Sequence, residues 1–190
     1  MNEQHRVACA SEMWADVVRD RVLPWAFRDF DTAELGDDLI EIGPGPGKTT
    51  DILRTLTASL TAVELDEDLA AQLTARTAGT NVTVVNQDAT ALPFADHRFS
   101  AGVCFTMLHH VPTVDLQDRL LAELIRVVRP GGWVLGSDSV ASDDLAALHG
   151  GDTYNPIDPV GLPARLGQAG LSDVEVVTNE YAFRFRGRAT

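Results

Sequence analysis

The chain has 190 residues, and its 28 acidic side chains outnumber its 15 lysines and arginines, which gives a formal net charge of −13. This length is typical of one domain, so residues 1–190 are interpreted as a single unit. A hydrophobic content of 45% with 23% charged residues excludes a disordered or fibrous chain. Because phosphate backbones and anionic lipids attract basic surfaces, the acidic balance predicts no nucleic-acid partner and no membrane partner.

Targeting signals are missing from the sequence as given. The first residues contain no apolar segment typical of a secretory signal, and no run of residues is long and apolar enough for a membrane span. Cys9 and Cys104 do not form a CxxC pair, and Cys104 lies in an apolar run, which favours a buried reduced thiol. We therefore predict a cytoplasmic protein, and the sequence leaves its oligomeric state open.

Segments with strand and helix periodicity alternate along the chain. Residues 12–30 predict one or two amphipathic helices, within a helical cap of residues 1–37 over the binding site. Strands are predicted at 39–42, 60–65, 81–86, 99–107, 133–136, 174–178 and 181–186, and helices at 49–60, 66–76, 115–129 and 160–170. This order predicts an α/β fold with a doubly wound, mostly parallel seven-stranded Rossmann-like sheet, in which the last hairpin gives one antiparallel strand.

The turn after the first strand carries Gly43, Gly45 and Gly47. Glycines allow the backbone to approach a ligand closely, with a helix N-terminus behind the turn. A dinucleotide fingerprint would need glycine where Lys48 stands, and a phosphate-binding P-loop would need glycine where Ile42 stands. The pattern that fits is an acidic residue followed by three alternate glycines.

Four further motifs follow in order: VELD at the end of the second strand, NQDA at the end of the third, LHHVP after the fourth, and RVVRPGG before the fifth. With these motifs, residues 38–178 resemble class I S-adenosylmethionine-dependent methyltransferases of the type 11 family. The resemblance implies S-adenosylmethionine as cofactor and S-adenosylhomocysteine as product. It also implies a cofactor-binding set, which consists of Glu41, Gly43, Gly45, Gly47, Glu64, Leu65, Asp88, Ala89 and Phe105.

Within this set, the resemblance gives several residues separate roles. Glu64 binds both ribose hydroxyls, Asp88 accepts from the adenine amino group, and the Ala89 amide reaches a ring nitrogen. Glu64 lies 21 positions after Gly43, a spacing that suits a ribose acid. For Glu41, a buried structural acid and an indirect contact to the methionine amino group remain equal alternatives, and Asp88 could instead be a turn former.

His109 and His110 follow the fourth strand and are the predicted catalytic residues. A hydroxyl acceptor would benefit from a histidine base, whereas an amine or carbon acceptor would need none. Asp138 is the one obvious partner for a metal held by these histidines, so no metal site is predicted.

The sequence therefore predicts an enzyme, an S-adenosylmethionine-dependent methyltransferase. The absence of a long insertion after the fifth strand favours a small-molecule acceptor, methylated at oxygen or nitrogen. The alternative is a non-catalytic module that binds the cofactor as a sensor or interaction domain, since a fold does not identify a reaction.

Overall fold

A computed structural model describes residues 2–190. The helices are α1 (Glu3–Ala10), α2 (Glu12–Val17), α3 (Leu23–Ala26), α4 (Thr50–Leu53), α5 (Glu67–Arg76), α6 (Val114–Val127), α7 (Asp143–Leu148) and α8 (Leu162–Gln168). The strands are β1 (Asp38–Ile42), β2 (Ser59–Glu64), β3 (Val82–Asn86), β4 (Phe99–Phe105), β5 (Val128–Ser139), β6 (Leu171–Thr178) and β7 (Ala182–Ala189). A π-helical turn, Val18–Val22, joins α2 to α3, and 3₁₀ turns occur at Thr32–Leu35 and Leu108–His110.

The seven strands form one sheet in the order β3-β2-β1-β4-β5-β7-β6. Strand β7 is antiparallel to both of its neighbours, and the other pairs are parallel. The predicted fold class is therefore confirmed, including its single antiparallel strand. Ile42 at the end of β1 pairs with Val63 and Cys104, so the carboxyl ends of β1, β2 and β4 meet at one edge of the sheet.

The core lies on both faces of the sheet, because successive strand side chains point in opposite directions. Leu39 packs on one face with Leu23 of α3. Ile40 packs on the other face with Leu124 of α6 and Leu166 of α8. All of these side chains are buried, and each contributes about 1.5–3 kcal/mol by the apolar area it removes from water.

Several segments differ from the sequence-based expectation. The strand predicted at 133–136 runs over Val128–Ser139 and begins inside the segment predicted as a helix over 115–129. The helix predicted over 49–60 is reduced to α4, because the Asn81 side chain donates to the carbonyls of Arg54 and Thr57 and fixes a non-helical path into β2. Helix α1 falls within the predicted cap but before the helices predicted from residue 12, and α7 was not predicted. Both are short and carry an Asn or Ser cap, Asn2 and Ser142, whose side chain accepts from a backbone amide of the first turn.

Candidate functional site

The carboxyl ends of β1, β2, β3 and β4 surround a cleft of about 480 Å³. This volume lies within the usual range for small-molecule and cofactor sites. Open parallel sheets bind ligands at this edge, and strand order reverses here between β1 and β4. The edge of the sheet therefore fixes where a cofactor can bind.

The glycine turn after β1 forms one wall of the cleft, and its three glycines have different tasks. All three have positive φ: +65° at Gly43, +55° at Gly45 and +81° at Gly47. Gly43 and Gly45 line the cleft, and a Cβ atom on Gly45 would have no atom within 4 Å. A Cβ atom on Gly47, which is not among the lining residues, would lie 2.5 Å from Leu73 Cδ1 and closer still to Arg76. Gly47 therefore permits the turn to pack against α5.

Glu41 is 1% exposed and does not line the cleft. Its carboxylate accepts hydrogen bonds from the hydroxyls of Thr49 and, at 2.7 Å, Thr50. Burial raises the pKa of Glu41 to about 7, and the two threonine hydroxyls oppose that rise. The structure therefore places Glu41 as a link between β1 and the start of α4, in contact with the residues that follow the glycine turn.

Glu64 lines the cleft at the end of β2 and is 7% exposed. One carboxylate oxygen accepts from the Gly45 amide at 2.8 Å, and the other accepts from the Asp66 amide at 2.9 Å. Burial raises the pKa of the carboxyl, and these backbone amides oppose the rise. A carboxylate has about four acceptor positions, so two remain for donors such as ribose hydroxyls. The neighbouring Leu65 is 69% exposed and adds an apolar surface to the wall.

The end of β3 supplies Asp88 and Ala89 to the cleft. One Asp88 oxygen accepts from the Thr90 amide at 2.8 Å, which is the geometry of an Asx turn. Asp88 can therefore form the turn and also contact a ligand, since it lines the cleft as well. Phe105, at the end of β4, and Met107, in the turn after it, also line the cleft, and Met107 lies close to Gly43. Met107 was not in the predicted set, although it is the last residue of the strand predicted at 99–107.

The two predicted catalytic histidines occupy different environments. His109 is 6% exposed, and its Nδ1 lies 2.6 Å from a carboxylate oxygen of Asp138. The other Asp138 oxygen accepts from the His109 backbone amide at 3.1 Å. His110 lines the cleft, whereas His109 does not. Burial, together with the nearby rings of His109 and His5, lowers the pKa of His110 to about 3. His110 is therefore neutral near pH 7 and faces the ligand space.

The N-terminal helices contact the cleft through side chains that were not in the predicted cofactor-binding or catalytic sets. Cys9 of α1 and Trp14 of α2 line the cleft. Arg6 of α1 forms an ion pair with Asp66, the N-cap residue of α5. Lys48 Nζ lies 3.0 Å from a carboxylate oxygen of Glu12 on α2. These contacts bring α1 and α2 to the edge of the sheet.

This geometry agrees with the comparison to known families. The sequence profile of the methyltransferase domain family matches residues 40–136, which is 97 of 190 residues. The chain belongs to the methyltransferase domain family. The match runs from β1 into β5 and includes every residue of the predicted cofactor-binding set. The predicted family, enzyme class and cofactor, S-adenosylmethionine, are thereby confirmed.

Solved structures support the same fold. The PH0226 protein from Pyrococcus horikoshii OT3 superposes with a TM-score of 0.79 at 16% identity, over 100% of both chains. The DhpI–S-adenosylhomocysteine complex superposes with a TM-score of 0.71 at 22% identity, over 97% of this chain and 93% of the other. At these identities the similarity establishes the fold alone.

One curated relative overturns a prediction made from charge. The ribosomal RNA small subunit methyltransferase A of Bifidobacterium longum subsp. infantis is 33% identical over 125 residues, which cover 62% of this chain and 41% of the relative. The chain thus spans about two fifths of the length of this relative. The prediction of no nucleic-acid partner is therefore wrong, because a net charge of −13 describes the whole surface and not the rim of one cleft.

Within residues 2–190, no helix is long and apolar enough to cross a membrane. The predicted cytoplasmic location stays a prediction.

Proposed function

We propose that this chain transfers the methyl group of S-adenosylmethionine to a nitrogen or oxygen atom of RNA. The observation that carries the cofactor half of this proposal is the Glu64 carboxylate, held at the cleft by two backbone amides beside the glycine turn. The acceptor half rests on the ribosomal RNA methyltransferase relative.

The residues of the cleft fit the parts of the cofactor. Glu64 offers its two remaining acceptor positions to the ribose hydroxyls, and Leu65 offers an apolar face beside them. Asp88 and the Ala89 amide are positioned for the adenine edge, at the end of the neighbouring strand β3. Gly43 and Gly45 leave room for the methionine part, because neither carries a side chain into the cleft.

When bound, S-adenosylmethionine supplies a methyl group made electrophilic by its sulfonium. The chain's own contribution is alignment, since in-line placement of acceptor, methyl carbon and sulfur supplies much of the rate of a displacement. Phe105, Met107 and His110 line the cleft from the end of β4 and the turn that follows it. His110 orients the acceptor by donating a hydrogen bond to it, because a neutral imidazole keeps one N–H. His109 is a positioning residue, held by Asp138.

The helical segment of residues 1–37 acts as a cap over the cofactor and acceptor site. Cys9 and Trp14 lie in the cleft wall, and the Arg6–Asp66 and Lys48–Glu12 pairs hold their helices there. A target base would leave its stack to reach the methyl group, as in other enzymes that modify bases. Because the protein is acidic, we expect few phosphate contacts and a shallow dependence of RNA binding on salt.

The cofactor assignment is tested by calorimetry with S-adenosylhomocysteine. Glu64→Gln removes the charge and one acceptor, and a hydrogen bond to a charged group is worth about 1.5–3 kcal/mol, so we expect binding about 10- to 150-fold weaker. Glu67→Gln, an exposed change on α5, is the matched control and should bind as the wild type does. Equal affinity of Glu64→Gln and Glu67→Gln would remove Glu64 from the cofactor site.

The acceptor assignment is tested with S-adenosylmethionine that carries a labelled methyl group. The substrates are an unmodified small-subunit ribosomal RNA transcript and a separate low-molecular-weight metabolite extract. We expect label in the RNA fraction that ribonuclease releases and that Glu64→Gln reduces. Label found in the metabolite fraction alone would refute the RNA acceptor. Cofactor binding without any transfer would favour the sensor module.

A further inference from the structure

Three histidines from distant parts of the chain meet beside the cleft. His5 comes from α1, His110 from the 3₁₀ turn after β4, and His149 from the end of α7. Each offers one ring nitrogen, and these three nitrogens lie within 4.8 Å of one another. The ring centroids are 4.5 to 5.0 Å apart. We propose that His5, His110 and His149 bind a transition-metal ion of the Zn²⁺ class.

The hydrogen bonds of His149 leave its other nitrogen free for a metal. Its Nδ1 lies 2.6 Å from the carbonyl oxygen of Leu145. A carbonyl oxygen only accepts, so Nδ1 carries the proton and Nε2 has the lone pair in a neutral ring. That Nε2 is buried and has no hydrogen-bond partner. In metal-binding histidines, the N–H of the second ring nitrogen usually donates a hydrogen bond to a carbonyl or carboxylate, as that of His149 does here.

Two neighbouring polar atoms are buried without a hydrogen-bond partner as well. They are Nδ1 of His5 and the hydroxyl of Tyr154, whose ring stacks on His149 at 4.7 Å. A buried polar atom without a partner costs about 1–3 kcal/mol, and three such atoms in one place call for a ligand. A bound cation would use the nitrogen lone pairs of His5 and His149 together.

The ligand chemistry of the cluster suits a metal. Neutral imidazole is the form that binds a metal, and Zn²⁺ is a common ion for nitrogen ligands.

The backbone around the cluster is held in place from both sides. The Asn2 amide donates to Asp152 at 2.7 Å, and the Asn2 side chain donates to the Leu148 carbonyl at 3.2 Å. Asn2 also caps α1 by accepting from the His5 amide. The helix that carries His5 is therefore fastened to the segment that carries His149.

The geometry needs only a small contraction. Tetrahedral Zn²⁺ with Zn–N distances of about 2.1 Å separates its ligand nitrogens by about 3.4 Å. The nitrogens here lie within 4.8 Å of one another, and side-chain rotation can close that gap. Three protein ligands leave one position of a tetrahedral ion for water or an acceptor atom. Since His110 also lines the cleft, the ion would border the space where the acceptor is proposed to bind.

Metal binding is tested directly, without an activity assay. Tag-free protein is freed of metal with a chelator and titrated with Zn²⁺ by calorimetry and with Co²⁺ by visible absorption. The variants are His5→Gln and His149→Gln, and His97→Gln in the loop before β4 is the matched control. Circular dichroism checks that each variant is folded.

We expect one ion per wild-type chain and ligand-field absorption from Co²⁺ in a tetrahedral site. His5→Gln and His149→Gln should each weaken binding at least about 100-fold, the upper end of what loss of a supporting residue costs. His97→Gln should keep the wild-type affinity. Absence of stoichiometric binding to the wild type, or equal binding to the wild type and both cluster variants, would overturn the site. Neither result depends on which acceptor the enzyme methylates.

Discussion

The buried Glu41 carboxyl makes the stability of this fold depend on pH in a direction that can be calculated. Its pKa is raised to about 7 in the folded protein, against 4.5 for an ordinary glutamate side chain. Between these values the folded state binds more protons than the unfolded state, so stability falls as pH rises. The full difference of 2.5 units, at 1.36 kcal/mol per unit, is about 3 kcal/mol. Typical domains are stable by only about 5–15 kcal/mol.

Glu41→Gln removes this contribution, and the measurement is urea unfolding of the cofactor-free protein followed by tryptophan fluorescence. The useful range is pH 5.5 to 8, since the sequence pI of about 4.6 limits work at lower pH. Over that range the stability of the wild type minus that of Glu41→Gln should fall by about 2 kcal/mol. Because only the change with pH is compared, a constant effect on packing cancels.

Glu67→Gln on the surface of α5 removes one exposed negative charge and controls for net charge. The contribution specific to Glu41 is the difference between the two variants. A difference that stays within about 0.5 kcal/mol across the range, or that rises with pH, would refute the reasoning, because linkage requires a loss of stability through this interval.

Two further predictions concern the packing of Gly47 and the buried His109–Asp138 pair. Gly47→Ala should lower the free energy of unfolding in urea by about 2–4 kcal/mol, because alanine at this positive φ is strained and its Cβ overpacks against α5. Gly79→Ala is the control, since Gly79 also has a positive φ but open space around it, and it should lose about 1 kcal/mol. Equal losses in the two variants would contradict the packing role of Gly47. Asp138→Ala leaves the His109 ring and amide without their acceptor and should cost about 3 kcal/mol or more, seen as a melting temperature lower by about 6–12 °C. The exposed Asp144→Ala should melt as the wild type does, and equal melting of both variants would exclude a structural role for the pair.

The sheet was predictable from the sequence because its signals are local. The buried strand β1 ends at a glycine turn, and α6 repeats apolar residues at helical spacing over Val114–Val127. The proposed cofactor wall was predictable for the same reason, since Glu64 ends β2 and Asp88 lies two residues after β3. Parallel topology then brings these strand ends to one edge.

The histidine cluster was not predictable, because no sequence spacing connects its members. His5 and His149 are 144 positions apart and lie on α1 and at the end of α7, two short helices with weak periodicity. The sequence also could not show that His109 is held in the interior while His110 lines the cleft. Adjacent residues in a 3₁₀ turn point in different directions, and only the position of Asp138 decides which one is held in the interior.

The two amides that hold Glu64 have a consequence for selectivity among cofactor analogues. Both carboxylate oxygens already accept hydrogen bonds from the amides of Gly45 and Asp66, so the side chain is ordered before a diol binds. Binding therefore does not lose conformational entropy by ordering this carboxylate. The same rigidity disfavours ligands that lack one of the hydroxyls. A 2′-deoxy analogue would bury a fixed negative acceptor without its donor, and sites built to bond a hydroxyl discriminate strongly against ligands that lack it. In the proposed cofactor site, recognition of the sugar thus depends on the backbone of the turn as much as on the acid itself.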